Sequence, residues 1–267
     1  MTQDIVTIRR QVKMVSSSLR QGKLVSAVQT VSAALKLLLT SQLMKAEKDE
    51  LTGLVREAID YLNNDNAALK LLPQPLVYPS GGEKTLLDDL NKLSEALRDE
   101  AVTEFEEKAK IMAARKAAAL VKGQEHLDNE NAAGARTVFG TVSKQFPEDG
   151  KLRGDIGEKF LNAGYYQDAA EYYLEAVDIE PGNLHNYNRL AIALRKQGMF
   201  EMAEENYMRA LPLAPEDPNL LFNIGRLYIE WEKWRKAVEF GQKALQMHPD
   251  FTEAQKLVNY ARKRMMS

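Results

Sequence analysis

The 267-residue chain contains no cysteine. That absence excludes a disulfide framework, a thiolate metal site and a thiol nucleophile, and it suits a reducing compartment. Histidine is scarce as well. His126, His185 and His248 have no carboxylate or second histidine at ligand spacing, so no metal site is expected. An excess of one charge is missing: 36 Lys and Arg stand against 38 Asp and Glu, a formal net charge of −2. No global field therefore draws the chain to nucleic acid or to an anionic membrane. No stretch approaches the about 18 apolar residues of a membrane-spanning helix. The N-terminal MTQDIVTIRRQVK lacks the apolar centre of a secretory signal. Gly81, Gly82 and Lys84 are too short a run for a phosphate loop. With no catalytic constellation and no cofactor motif, a soluble, cytoplasmic, non-enzymatic protein is expected.

What the chain does have is a period. In steps of 34 residues, Gly157, Ala191 and Gly225 recur, as do Phe160, Leu194 and Tyr228. Ala169, Ala203 and Ala237 follow, then Ala176, Ala210 and Ala244, then Pro181, Pro215 and Pro249. Aromatics repeat at Tyr166, Phe200 and Trp234. Self-similarity at this length means a stack of small helical units. The small residues belong where two helices of one unit cross, because only a hydrogen or methyl lets the backbones approach. Ala203 is expected at such a crossing, and Ala193 at a roomier place. Proline ends the second helix of each unit. Asp149, Asn183 and Asp217 precede each first helix as N-caps should. Gly164 and Gly198 lie between the helices, where a left-handed turn is wanted.

The order small residue, aromatic, Ala, aromatic, Ala, Pro resembles the tetratricopeptide repeat. Segments 150–183, 184–217 and 218–251 match it closely, and 116–149 is a degenerate version that keeps Gly123, Ala135, Phe139 and Pro147. The resemblance implies an all-α solenoid of antiparallel helix hairpins whose concave face binds other proteins. An N-terminal helical unit over 1–71 precedes it, and a capping helix over 252–267 follows. Gly22, Leu24, Ala27, Val31 and Ala34 are similar to the second half of such a repeat, which suggests a degenerate hairpin at the N-terminus.

Ile5, Ile8, Val12, Val15 and Leu19 predict an amphipathic helix over 2–20, and Leu24, Val28, Val31, Leu35 and Leu38 a second. Residues 1–40 carry six bases and one acid, read as a solvated face or as a membrane-seeking one. A third helix is expected from Gln42 to Leu62 with Met44, Leu51, Leu54, Val55, Ala58 and Ile59 on its stripe. LPQPLVYPSGGE at 72–83 excludes helix, and the unit boundary is placed there as an ordered, extended connection. Residues 84–115 read as a long connecting helix, with one helix or two left open across 83–129. Its Leu86, Leu90, Leu93, Leu97, Ala101 and Phe105 either pack on the N-terminal helices or pair as a coiled coil between copies.

In the family this sequence resembles, the first helix of each repeat lines the groove. The partner-binding residues would then be His185, Asn188, Arg189, Ile192, Arg195, Phe222, Asn223 and Arg226, beside Glu158. Three arginines around Phe222 suit a protein or peptide that is acidic with an apolar anchor. These arginines can instead pair with Glu158 and Glu230 of the chain itself. The clamp by which some members hold a chaperone tail is mostly absent, its places being Gly154, Glu158, Arg189, Asn219 and Asn223. The leading reading is a non-enzymatic adaptor. The second is an assembly subunit, a homo-oligomer joined through its N-terminal helices, and an enzyme with an unrecognised site is the remotest.

Overall fold

A computed structural model describes residues 3–40, 43–79 and 81–266. Every regular element among them is helical: α1 (Gln3–Lys13), α2 (Val15–Arg20), α3 (Leu24–Thr40), α4 (Lys45–Asn63), α5 (Asn66–Leu71), α6 (Glu83–Asp128), α7 (Ala132–Gln145), α8 (Gly150–Asn162), α9 (Tyr166–Ile179), α10 (Leu184–Lys196), α11 (Phe200–Ala210) with a short 3-10 turn after it (Leu211–Leu213), α12 (Pro218–Glu230), α13 (Trp234–Met247) and α14 (Thr252–Met266). The contacts divide into a unit ending at Lys110 and a unit beginning at Ile111.

In the first unit the expected helix over 2–20 breaks at Met14 into α1 and α2. The side chain of Ile5 and the expected start at Gln42 lie outside the described residues. Gly22 then reverses the chain at φ +70°, with Gly22 N–H donating to Leu19 O and Lys23 N–H to Ser18 O, both at 2.9 Å. Val28, Val31, Ala34 and Leu35 of α3 are fully buried against Leu51, Val55 and Leu62 of α4. Met44, expected on that stripe, is 67% exposed just before α4 begins. The proline-rich stretch is ordered and extended. Asn63 holds it by both faces of its amide, donating to Leu76 O at 2.9 Å and accepting from Leu76 N–H at 2.8 Å. It is not the boundary, however. Leu86, Leu90, Leu93 and Leu97 of α6 belong to the same core as α3 and α4. The break at 72–83 turns the chain back onto its own core. Ala101 and Phe105, expected to continue that buried stripe, are exposed. From Glu83 to Asp128 α6 is one helix.

The second unit is the periodic one. Asn131, Asp149, Asn183 and Asp217 accept from backbone N–H groups of the helices they open: Gly134 at 2.9 Å, Leu152 at 2.8 Å, His185 at 3.1 Å and Asn219 at 2.8 Å. Within each hairpin the turn is the same left-handed motif, at Glu130, Gly164, Gly198 and Glu232. In all four, the N–H of the following residue donates five residues back, as from Tyr165 to Phe160 O and from Lys233 to Tyr228 O, both at 2.9 Å. Two turns thus use glycine and two force glutamate to φ 57°.

The crossing residues are where the period put them. A methyl on Gly123 would overlap the buried Phe139 ring, and one on Gly157 would come to 3.0 Å of the Tyr173 ring. Ala191 accepts its methyl against the rest of the core. In the last repeat Gly241 replaces the aromatic, because Val258 and Leu257 of α14 lie where a ring would be. Ala203 is fully buried, but so is Ala193, which is no roomier.

A side chain with a Cβ costs about 1 kcal/mol in the left-handed region that glycine enters freely. Glu130→Gly and Glu232→Gly should each raise the melting temperature by about 2–4 °C in thermal circular dichroism. An unchanged or lower melting point would show that these turns are not strained.

Candidate functional site

The first helices of the repeats bring the expected residues close together, but not all of them face outward. Arg195 is buried, its side chain 1% exposed, and its Nη1 pairs with Oε1 of Glu230. Arg189 pairs with Glu158 at 3.2 Å, and the same Glu158 carboxylate accepts from the Tyr173 hydroxyl at 2.7 Å. These two arginines therefore act within the chain, and the expected groove of three free guanidiniums is corrected to one, Arg226. Asn223 donates to Asn188 Oδ1 at 3.2 Å, which joins neighbouring first helices. Ile192 is half-buried against the core, and His185 is exposed.

Most of the other polar contacts between repeats also fall about one period apart. Lys116 donates to Asp149 at 2.8 Å. Arg136 holds Asp168 through two hydrogen bonds, 2.6 and 2.8 Å. Two repeats on, at the same places, Lys236 donates to Glu204 at 2.8 Å, with the signs exchanged. Within this frame Arg153, 6% exposed, caps the end of α7 by donating to Ser143 O at 3.0 Å and Phe146 O at 3.1 Å while its Nε reaches Glu175. Burial opposes the ionisation of Asp149, but the hydrogen bonds from Lys116 and Leu152 N–H prevail and hold it below the usual range. Burial pushes the Tyr207 hydroxyl up to about 12, with Arg195 opposing. Burial and then the carboxylates of Glu158 and Glu204 raise Tyr173 and Tyr228 further.

What remains open is a cleft of about 280 Å³ between α12 and α14. Phe222, Ile229, Leu257 and Tyr260 give it an apolar lining. Phe222 leans on Phe251, ring centroids 4.9 Å apart, and the Arg226 guanidinium lies 5.9 Å above the Phe222 ring. Arg226 and Lys256 border the cleft and hold no carboxylate among the described residues, Glu230 being occupied by Arg195 and Glu253 standing at the rim. Lys256 and Tyr260 were not among the expected site residues, since α14 reads as a cap. The signal was in the period: one step on from Phe222 and Arg226 lie Lys256 and Tyr260, because α14 occupies the place of a further first helix. Among the described residues no group of three or more Asp, Glu and His is placed to hold a metal ion, and no helix is long and apolar enough to cross a membrane.

Models of the tetratricopeptide repeat match residues 120–183 and 183–250. Residues 120–250 are tetratricopeptide repeats. Such arrays are protein-interaction modules that present an extended concave surface. The chain is 35% identical over 83 residues to the photosystem I assembly protein Ycf3 of Synechococcus sp. (strain CC9605), covering 30% of this chain and 46% of that protein. It is 24% identical over 133 residues to the human protein O-mannosyl-transferase TMTC3, covering 44% of this chain and 14% of that one. This chain thus spans less than half the length of either relative. The crystal structure of MamA protein shares the repeat fold, with a TM-score of 0.50, 19% identity, and coverage of 57% of this chain and 84% of that one.

Two consequences are measurable. Removing one partner of a buried ion pair costs about 3–5 kcal/mol. The Glu230 side chain is 36% exposed, so water screens it, and Glu230→Gln should cost about 2 kcal/mol in urea denaturation. Arg195→Met with Glu230→Gln should recover most of that loss, and equal losses in single and double variants would overturn the pairing. Second, Tyr173, Tyr207 and Tyr228 keep their protons in the fold to higher pH than in the unfolded chain, where 10.0 is usual. Their contribution is complete below pH 10.0 and is lost as pH rises from there toward 12 and beyond. Denaturation midpoints should be level below about pH 9 and fall steeply above pH 10. Tyr207→Phe should blunt the fall; an equally steep fall would count against it.

Proposed function

We propose that the repeat array is a non-enzymatic adaptor that holds an extended or helical segment of a partner protein. The observation that carries this reading is the cleft between α12 and α14, where two unpaired cations flank an apolar lining. An acidic segment with one large apolar residue matches it. The apolar side chain enters beside Phe222 and Tyr260, and its carboxylates meet Arg226 and Lys256. Arg226 forks its donors toward a carboxylate and keeps its charge at any working pH. Aromatic residues with arginine form the energetic centre of many interfaces. The name of the cyanobacterial relative, an assembly protein, supports the same class of role: holding another protein while a larger structure is built.

The test is fluorescence anisotropy against peptides that place one Phe or Leu among Asp and Glu, with matched basic peptides beside them. The parent chain should prefer the acidic set. Arg226→Glu with Lys256→Glu should weaken binding at least about tenfold, a loss of about 1.4 kcal/mol. Lys243→Glu, which breaks a surface pair with Glu239 and a cation contact over the Phe240 ring away from the cleft, should leave binding unchanged. Equal binding by the double variant would rule out this cleft.

A further inference from the structure

Three faces of the array are each covered by a helix of the repeat before. α7 packs on α8, α9 on α10 and α11 on α12. The places that this covering buries recur with the period: Leu152 and Ile156, then Asn186 and Leu190, then Leu220 and Ile224. Arg153, beside Leu152, reaches the arriving helix directly and donates to the carbonyls of Ser143 and Phe146 at the end of α7. One period earlier the same two places hold Ala118 and Lys122, and both are exposed. No helix of the second unit precedes α6.

The uncovered face is a groove of about 510 Å³ between α6 and α7, with Ala118, Ala119, Val138 and Val142 in its apolar lining. Residues 111, 115, 118 and 122 advance by four, three and four, and 112, 115, 119 and 122 by three, four and three, so all share one side of α6. Ile111 and Met112, 54% and 51% exposed, therefore extend the groove's apolar side. An end cap needs only a polar outer surface. This end keeps an apolar groove and cations of one sign. Arg115 and Lys122 border it, neither has an ion pair among the described residues, and no carboxylate lies in the lining. They stand two turns apart, about 10 Å along the helix. The last helix of the array cannot supply the cover from a second copy, because its exposed face carries Lys256, Arg262, Lys263 and Arg264. Stacked head to tail, those cations would meet Arg115 and Lys122.

We propose that this open face of α6 and α7 docks an amphipathic helix of a partner protein, acidic along its flank. The helix takes the place that α7 takes on α8. Its large apolar side chains fill the groove over Ala118 and Ala119, where later repeats supply Leu152 and Leu220 themselves. Its carboxylates, two turns apart, meet Arg115 and Lys122. This is helix-in-groove recognition at the end of the stack. The face is separate from the cleft between α12 and α14 and does not need it.

The probe is a synthetic peptide held helical by side-chain cross-links, with Leu and Ile on one face and Glu beside them. Fluorescence anisotropy reads its binding to the full chain, next to a matched helix with Lys for Glu. The Glu helix should bind better. Arg115→Glu with Lys122→Glu should weaken it at least about tenfold, with unchanged helicity in circular dichroism, since both side chains are exposed. Thr141→Trp, at an exposed place on α7, fills the groove without touching its charge and should weaken binding by a similar factor. Arg226→Glu with Lys256→Glu should leave it unchanged. Equal binding of the two helices overturns the proposal. So does full binding by the Arg115 and Lys122 variant. Full binding by Thr141→Trp would mark attraction of charge with no seat in the groove, and a loss confined to the Arg226 and Lys256 variant would move the helix to the other cleft; either overturns it. A parent chain that sediments as a dimer, and as a single chain once Thr141→Trp is made, would give the face to a second copy and overturn it too.

Discussion

A ring laid against a missing side chain fixes the angle of the hairpins in the array. Phe139 over Gly123 and Tyr173 over Gly157 let two backbones approach closely, and the crossing angle follows from that approach. Once the angle repeats, neighbouring hairpins stack, and the polar contacts one period apart can form at all. Gly225 keeps the same closeness in the last repeat, where Leu257 of α14 takes over the role of the ring. The cleft beside Phe222 exists because α14 seats itself on Gly241 and Gly225 at that distance.

Much of this was legible in the residues. The N-caps at Asp149, Asn183 and Asp217, the left-handed turns at Gly164 and Gly198 and the crossings at Gly157 and Ala203 are local or strictly periodic, so one strand of text holds them. The Glu130 and Glu232 turns were not legible, because glutamate carries no mark of a positive φ. Arg195 was half legible. Pairing with Glu158 and Glu230 was one of two expected outcomes and is the one found, but the face of a single helix does not decide between that and a free groove residue. The division near Lys110 was invisible because α6 runs through it without proline or glycine. The loud break at 72–83 marks only a change of direction, tied down by Asn63.

The charge inventory changes meaning when the contacts are known. A nearly neutral chain of many ions seems ready to bind partners anywhere along its groove. Burial and stacking consume several of the array's cations: Arg153 ends a helix, Arg189 and Arg195 hold repeats together, and Lys236 pairs across the second helices. Two that stay free of them, Arg226 and Lys256, meet at the one cleft between α12 and α14.

The exchanged signs of Arg136–Asp168 and Glu204–Lys236 reach beyond this one fold. Arrays of this kind grow and shrink by duplication and loss of whole units. Here two of the joints are keyed. Losing the two middle repeats, 150–217, would bring Arg136 opposite Lys236, two cations at a joint shaped for an ion pair. That particular splice would leave a mismatched neighbour, and a surviving rearrangement there must rewrite one side of the seam.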